Sequence, residues 1–303
     1  MRLFRKIVFL LIPLIIISSV GLHAKRRKEI NKEFDKKEFI EINTLSGDCV
    51  IQKGGSDKIE VTVTHSYSET DPVEFDFTDR GKRLRLDEKI HGSVSGSCIW
   101  TISVPDNIEI EFSTTSGDMS IYDVSGEFSM QSASGSMDIR GCLGKFKMST
   151  ASGDCDITDT QGKFNINTAS GDCNIRECKG EFDINSPSGD IDAYDITLED
   201  DSNFGVASGT VEVELAESAR YDINIGSASG KAILDYGANP LIGYFEFTAR
   251  YHSGRIVAPF NFDDEDIFRK HGEKYVRKSF IRETDYPTIT IGTSTGKAVL
   301  KKR

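Results

Sequence analysis

One phrase returns every 18 residues between Thr115 and Ile196: TSGDMSI, ASGSMDI, ASGDCDI, ASGDCNI and PSGDIDA. Its Ser-Gly pairs are Ser116-Gly117, Ser134-Gly135, Ser152-Gly153, Ser170-Gly171 and Ser188-Gly189, so the period runs through five copies without an insertion. A unit this short cannot bury an apolar face alone, so the copies must stack and share one core.

Counting the Ser of each pair as zero, position three is Met119, Met137, Cys155, Cys173 and Ile191, and position five is Ile121, Ile139, Ile157, Ile175 and Ala193. Polar residues such as Ser120, Asp138 and Asn174 stand between them, the period-two pattern of a strand with one buried face. Position ten is Gly126, Gly144, Gly162 and Gly180, position twelve is Phe128, Phe146, Phe164 and Phe182, and position fourteen is Met130, Met148, Ile166 and Ile184. Each copy therefore reads strand, turn, strand, turn, with about five or six residues per strand. The expected fold is all-β: a single-stranded parallel β-helix, or β-solenoid, with two strands per 18-residue rung and rungs about 4.8 Å apart. The Phe and Ile positions, with Cys155 and Cys173, become internal columns, and Gly117, Gly135, Gly153, Gly171 and Gly189 take the turns.

On either side the pattern loosens. Residues 39–115 alternate as strands with irregular spacing and hold two isolated copies of the phrase, at Ser46-Gly47-Asp48-Cys49 and Ser95-Gly96-Ser97-Cys98. Regular rungs are expected over 116–200 and looser ones over 201–303, where Ser-Gly pairs recur at Ser208, Ser229 and Ser253. Residues 263–281 are charged and lack strand alternation, so they read as a helical turn or a long loop, an insertion that caps the solenoid end. Ile289 and Ile291 precede Thr295-Gly296 at the offsets seen in the regular copies, which makes this stretch a final rung.

Candidate chemistry falls to the cysteines, the acids, the histidines and the repeated serines. The six cysteines occupy apolar slots, with Cys49, Cys98, Cys155 and Cys173 at position three and Cys142 and Cys178 at position eight, so they read as small buried hydrophobes. Stacked Cys155 and Cys173 would point their Cβ atoms in parallel, a poor disulfide geometry. Acids form a second column, with Asp48, Asp118, Asp154, Asp172 and Asp190 at position two. Asp154, Asp172 and Asp190 are the calcium candidates, because carboxylates one rung apart repel by roughly 1 kcal/mol in water. Ser136, Thr210, Lys231 and Lys297 interrupt that column, and an Asp after Ser-Gly also serves a turn by accepting backbone N–H groups. Catalysis finds no constellation: the five histidines are scattered and the repeated serines have no local base, so no catalytic or cofactor-binding residue is assigned.

The N-terminus has the build of an export signal: Arg2, Arg5 and Lys6, an apolar run from Ile7 to Ile17, then small residues up to Ala24. Residues 1–24 are expected to be a signal peptide cleaved after Ala24 or a retained N-terminal anchor, followed by a basic, charged linker over 25–38. Either way the remainder is exported, to the periplasm or cell surface, and meets a membrane only through 1–24 if that segment stays. The chain carries a net charge of −11, more negative still without the three cations of its start, which excludes nucleic acid as a partner.

The repeated S-G-D-x-x-I phrase resembles the bacterial putative-adhesin β-strand-repeat family. So do the Val104-Pro105-Asp106-Asn107 approach to the repeat and the closing Thr293-Ser294-Thr295-Gly296-Lys297-Ala298-Val299. The resemblance spans about Phe39 to Lys301 and implies exported β-helix proteins, mostly of unknown function, with no catalytic residues to carry over. The leading expectation is a non-enzymatic cell-envelope scaffold, adhesin-like, that binds a protein or glycan through its outer faces or irregular ends. A carbohydrate-active β-helix enzyme and a calcium-stabilised β-roll are the alternatives.

Overall fold

A computed structural model describes residues 27–303, and every regular element in it is a β-strand. In the repeat region the strands alternate between two sheets. One sheet takes β10 (Ser125–Ser132), β12 (Leu143–Thr150), β14 (Gln161–Thr168) and β16 (Lys179–Ser186), and the other takes β11 (Met137–Arg140), β13 (Cys155–Thr158) and β15 (Cys173–Arg176). Pairing is parallel and in register, so Phe128, Phe146 and Phe164 lie side by side, as do Ile139, Ile157 and Ile175. The long β17 (Ile191–Leu198) rounds the corner and pairs into both sheets. The protein is thus a two-sheet β-solenoid.

The core is the narrow space between the sheets. Rings of Phe128, Phe146, Phe164 and Phe182 stack with centroids 5.3, 5.2 and 4.9 Å apart and nearly parallel planes. Phe204 extends this column at 5.8 Å, although its backbone registers with Ile184. Ile121, Ile139, Ile157 and Ile175, with Cys155 and Cys173, are fully buried opposite.

Both ends depart from chain order. At the N-terminal end come β1 (Lys28–Phe34), β2 (Phe39–Asn43), β3 (Asp48–Lys53), β4 (Ile59–His65), β5 (Val73–Arg80), β6 (Arg83–Ile90), β7 (Cys98–Val104), β8 (Ile108–Thr114) and β9 (Met119–Tyr122). The β2/β3 rung lies between β6/β7 and β8/β9, so it separates two rungs that are consecutive in sequence. At the other end come β18 (Ser202–Val206), β19 (Val211–Leu215), β20 (Ile223–Ser227), β21 (Lys231–Asp235), β22 (Gly243–Arg250), β23 (Arg255–Val257), β24 (Asp264–Lys270), β25 (Glu273–Arg282), β26 (Thr288–Thr293) and β27 (Lys297–Lys301). Here β26/β27 is inserted between β20/β21 and β22/β23.

Three expectations change accordingly. The stretch ending in Thr295-Gly296 is the penultimate rung, not the final one. Residues 263–281 are no helix or loop but most of an antiparallel hairpin, β24 and β25, that continues the sheet beyond β22. Its strands do not alternate because β24 is an edge with no buried face. The stretch 25–38 is more than a linker, since β1 pairs with β4 along its whole length and Lys37 is buried against Asp79 and the Gly81 carbonyl. Charged edge strands such as β1 and β24 discourage pairing with other chains. Residues 1–24, with the signal or anchor expectation, lie outside the described residues.

Glu88 closes the N-terminal end of the corner column. The alternation Leu84, Leu86, Glu88 turns it inward, and its Oε2 accepts the backbone N–H groups of Leu45, Ser46 and Gly47 at 3.0–3.2 Å. Its Oε1 accepts from the Tyr67 hydroxyl at 2.9 Å. The Ser95-Gly96 pair of the adjacent rung packs against Tyr67 and not over this corner, so Glu88 accepts these donors in place of a glycine carbonyl.

Two outcomes are expected. Phe164→Ala removes a central ring of the column and costs about 3–5 kcal/mol in equilibrium urea denaturation. Glu88→Ala leaves buried donors without an acceptor, lowers stability by about 1–3 kcal/mol and speeds hydrogen exchange at the amides of residues 45–47.

Candidate functional site

The Ser-Gly corner stacks backbone directly on backbone. A Cβ at Gly153 would overlap the carbonyl of Gly135, and the same overlap recurs at Gly117, Gly135, Gly171 and Gly189. Two side chains brace the corner. The hydroxyl two residues before each Ser accepts the glycine N–H, as in Thr150 to Gly153 at 2.9 Å and Thr168 to Gly171 at 2.8 Å. Where an Asp follows the glycine it reaches the next rung: Asp154 Oδ1 accepts the N–H of Asp172 at 2.9 Å, Asp172 that of Asp190 at 2.8 Å, and Asp190 that of Thr210 at 2.6 Å. The Ser/Thr column was overlooked in the sequence, although a hydroxyl stands there in all five regular copies.

The calcium candidates therefore hold successive rungs together through backbone hydrogen bonds. Among the described residues no group of three or more His, Cys, Asp or Glu is arranged to hold a metal ion. One acid of the neighbouring outward column does carry strain. Burial, with the charges of Asp190, Glu212 and Asp172, raises the Asp192 carboxyl above its ordinary value, and Arg176 only partly opposes them.

All six cysteines are buried free thiols. Burial raises the thiols of Cys49, Cys98 and Cys142 and pushes Cys178 up to about 11. Cys173 is raised by its hydrogen bond to Cys155 and by burial. Cys142 and Cys178 donate to the carbonyls of Arg140 and Arg176, and Thr160 fills the same slot between them by donating to Thr158. These positions suit a small side chain with a weak local donor and present no exposed thiolate.

The outer faces of the regular rungs are largely self-paired, with Lys145 bonded to Glu127, Lys163 to Glu181 and Asn174 to Asp156. A groove of about 610 Å³ opens on the outer face of β8, β10, β12 and β14, and a larger one of about 770 Å³ on the outer face of the sheet at the C-terminal end. Along its floor Asn185, Gly205, Gly226, Gly292 and Thr248 stand side by side on neighbouring strands. Beside them runs a polar row in which Asn224 donates to Asn203 at 2.6 Å and Asn203 to Asp183 at 3.3 Å. The β24–β25 hairpin supplies the wall. There the Phe268 and Tyr275 rings stack at 5.8 Å and the Arg277 guanidinium lies 5.3 Å over Phe268. The Tyr275 hydroxyl reaches Ser294 Oγ at 3.3 Å, and that bond, with Arg250 and Lys270 nearby, holds its phenol below the ordinary value. The sequence did carry a signal for the floor: Gly205, Gly226 and Gly292 each stand three residues before Ser208, Ser229 and Thr295, where the regular copies have Gln131, Ser149, Asn167 and Asn185.

Over residues 38–241 the chain matches the family described as Toastrack DUF4097. No curated protein matches it. Among solved structures it is similar to a putative lipid binding protein from Parabacteroides distasonis, at 11% identity over 91% of this chain and 96% of that one, with a TM-score of 0.40. It is also similar to a putative adhesin from Parabacteroides merdae (10% identity, 91% and 96% covered, TM-score 0.37) and to one from Bacteroides fragilis (11%, 92% and 99%, TM-score 0.35).

Two measurements check this chemistry. A chromogenic disulfide reagent should label none of the cysteines in the native protein and all six after denaturation in guanidinium; fewer than six would mean that some are paired. For Asp192, a folded-state value above the unfolded one means that its stabilising contribution exists below the ordinary carboxylate range and is lost as pH rises through the raised value. Asp192→Asn should therefore raise the melting temperature at about pH 7, with the difference gone by about pH 3.

Proposed function

The chain belongs to the Toastrack DUF4097 family, and on that premise we propose that it is a non-enzymatic scaffold of the cell envelope, exported and adhesin-like, which binds a protein or glycan at its irregular end. The observation that carries this reading is the contrast between the rungs and the C-terminal groove. Along the regular rungs the polar chemistry is spent inside the fold, with hydroxyls on glycine amides, carboxylates on the next rung and lysines on neighbouring glutamates. Asp154 and Asp156, the pair that a carbohydrate-active enzyme would draw on, are each engaged across a rung boundary. In the groove Asn185 and Arg277 are bonded within the fold too, to Asp183 and Asp266, but Phe268, Tyr275 and Lys270, which has no ion pair among the described residues, converge with them on an open surface.

Export rests on the charge and hydropathy of residues 1–24. No helix among the described residues is long and apolar enough to cross a membrane, which leaves that segment as the proposed route of attachment if it is retained. Mass spectrometry of the protein recovered from a bacterial envelope fraction should give either a chain beginning at Lys25 or the intact chain in the membrane; finding it in the cytosol would defeat the export reading. Binding of the full chain to an array of glycans and envelope proteins is expected to drop for variants at the C-terminal end, and to persist when outward residues such as Asp156 and Asn174 are exchanged for Lys. The opposite pattern would move the function to the regular face.

A further inference from the structure

Two glycines of the groove floor, Gly226 and Gly292, have no explanation inside the fold, while a Cβ at Gly205 would crowd Asn185 Oδ1 at 3.1 Å. Corner glycines are forced by stacked backbone, but a Cβ at Gly226 or Gly292 would meet nothing within 4 Å, and neither residue has a positive φ. Glycine in a strand interior lowers stability relative to a residue with a side chain. Three of them on adjacent strands keep the floor bare where it faces the hairpin. The cost at Gly226 and Gly292 has no return within the protein, and a glycine in a strand commonly marks the close approach of a ligand.

The surroundings define which ligand fits. The floor strands are paired on both sides, so their backbone groups are consumed in the ladder and cannot recruit a peptide as an added strand. Asn185, Asn224 and Thr290 make the floor too polar for an acyl chain. What these walls offer together is a stacked aromatic pair, side-chain amides and hydroxyls, and a cation at Lys270 without an ion pair among the described residues. A sugar ring presents the complement: an apolar face for an aromatic ring and equatorial hydroxyls for amides.

We propose that this groove is a carbohydrate site that takes an extended glycan, with sugar faces against Phe268 and Tyr275 and hydroxyls on Asn185, Asn224 and Thr290 above the glycine floor. The proposal rests on the scaffold reading and gives it a location and a ligand class. The bare floor lets the chain lie flat against the sheet, and the hairpin covers it from one side.

Isothermal titration of the full chain with three hexasaccharides tests this: β-1,4-linked glucose, β-1,4-linked N-acetylglucosamine and α-1,4-linked galacturonate. Saturable binding of at least one is expected, and the galacturonate arm reads the contribution of Lys270. Gly226→Gln fills the floor at a position where a side chain has room, so the variant folds with an unchanged melting temperature and weakens binding about ten-fold. Tyr275→Ala should act in the same direction, while Asn167→Ala, in the same column on a regular rung, leaves affinity unchanged. Binding that survives both Gly226→Gln and Tyr275→Ala would overturn this site and leave the scaffold reading standing. Failure of all three sugars would overturn the site as well, and the scaffold reading would fall with it only if the array of glycans and envelope proteins also found no partner. A partner found to be an extended peptide competing at the groove would likewise replace the glycan assignment.

Discussion

The whole solenoid depends on the contact of one glycine with the carbonyl of the glycine a rung away. At each Ser-Gly corner of the regular rungs the backbones approach so closely that a Cβ has no room, and this fixes which residue of a copy lies over which residue of the next. Register in a sheet is otherwise free to slip, and a slip by one residue would turn every inward side chain to solvent. With the corner pinned, the hydroxyl, the glycine amide and the following carboxylate fall into line, and like stacks on like through the phenylalanine column. The apolar core between the sheets supplies the stabilising burial, while the corner decides its alignment.

That contact also explains how much of the molecule was legible in its sequence. Phe128 to Phe182 and Ile121 to Ile175 were readable as columns because a fixed period and a two-residue alternation leave one arrangement that buries both. The threading of the ends was not readable, because a copy such as Ser46-Gly47 has the corner of every regular rung and fits between any two, while Ser95-Gly96 matches the phrase yet packs against Tyr67 instead of a neighbouring glycine. Only the tertiary structure shows that Gly47 lies beneath Gly117 and that Gly296 lies over Gly230. Strand β24 was unreadable for a different reason, since an exposed edge with no inward face owes nothing to period two, whereas β1 turns only Ile30 and Phe34 toward the core, too few to mark an alternation. Glu88 and the three floor glycines were visible but overlooked, one as an acid at an inward position and the others as mere loosening of the repeat.

The same distinction separates scaffold from site. In the regular rungs the noticeable letters, Ser, Gly and Asp, serve the corners, and the calcium candidates Asp154, Asp172 and Asp190 spend their oxygens on neighbouring amides. The groove departs from that economy. Gly226 and Gly292 satisfy no internal demand, and the wall is a hairpin that the repeat does not encode. Specificity in repeat proteins concentrates where the repeat is interrupted, since those positions vary without breaking the stack.

The inserted rungs at the two ends have a mechanical meaning. Strands β2 and β26 each lie between two parallel neighbours, so a force drawn along either strand loads both rows of hydrogen bonds in shear, and the rows must yield together. A terminal strand on an open edge would peel one bond at a time. Strand β1 is such an edge, paired with β4 alone among the described residues, so tension at the N-terminal end meets β1 before it reaches the rung held along both borders.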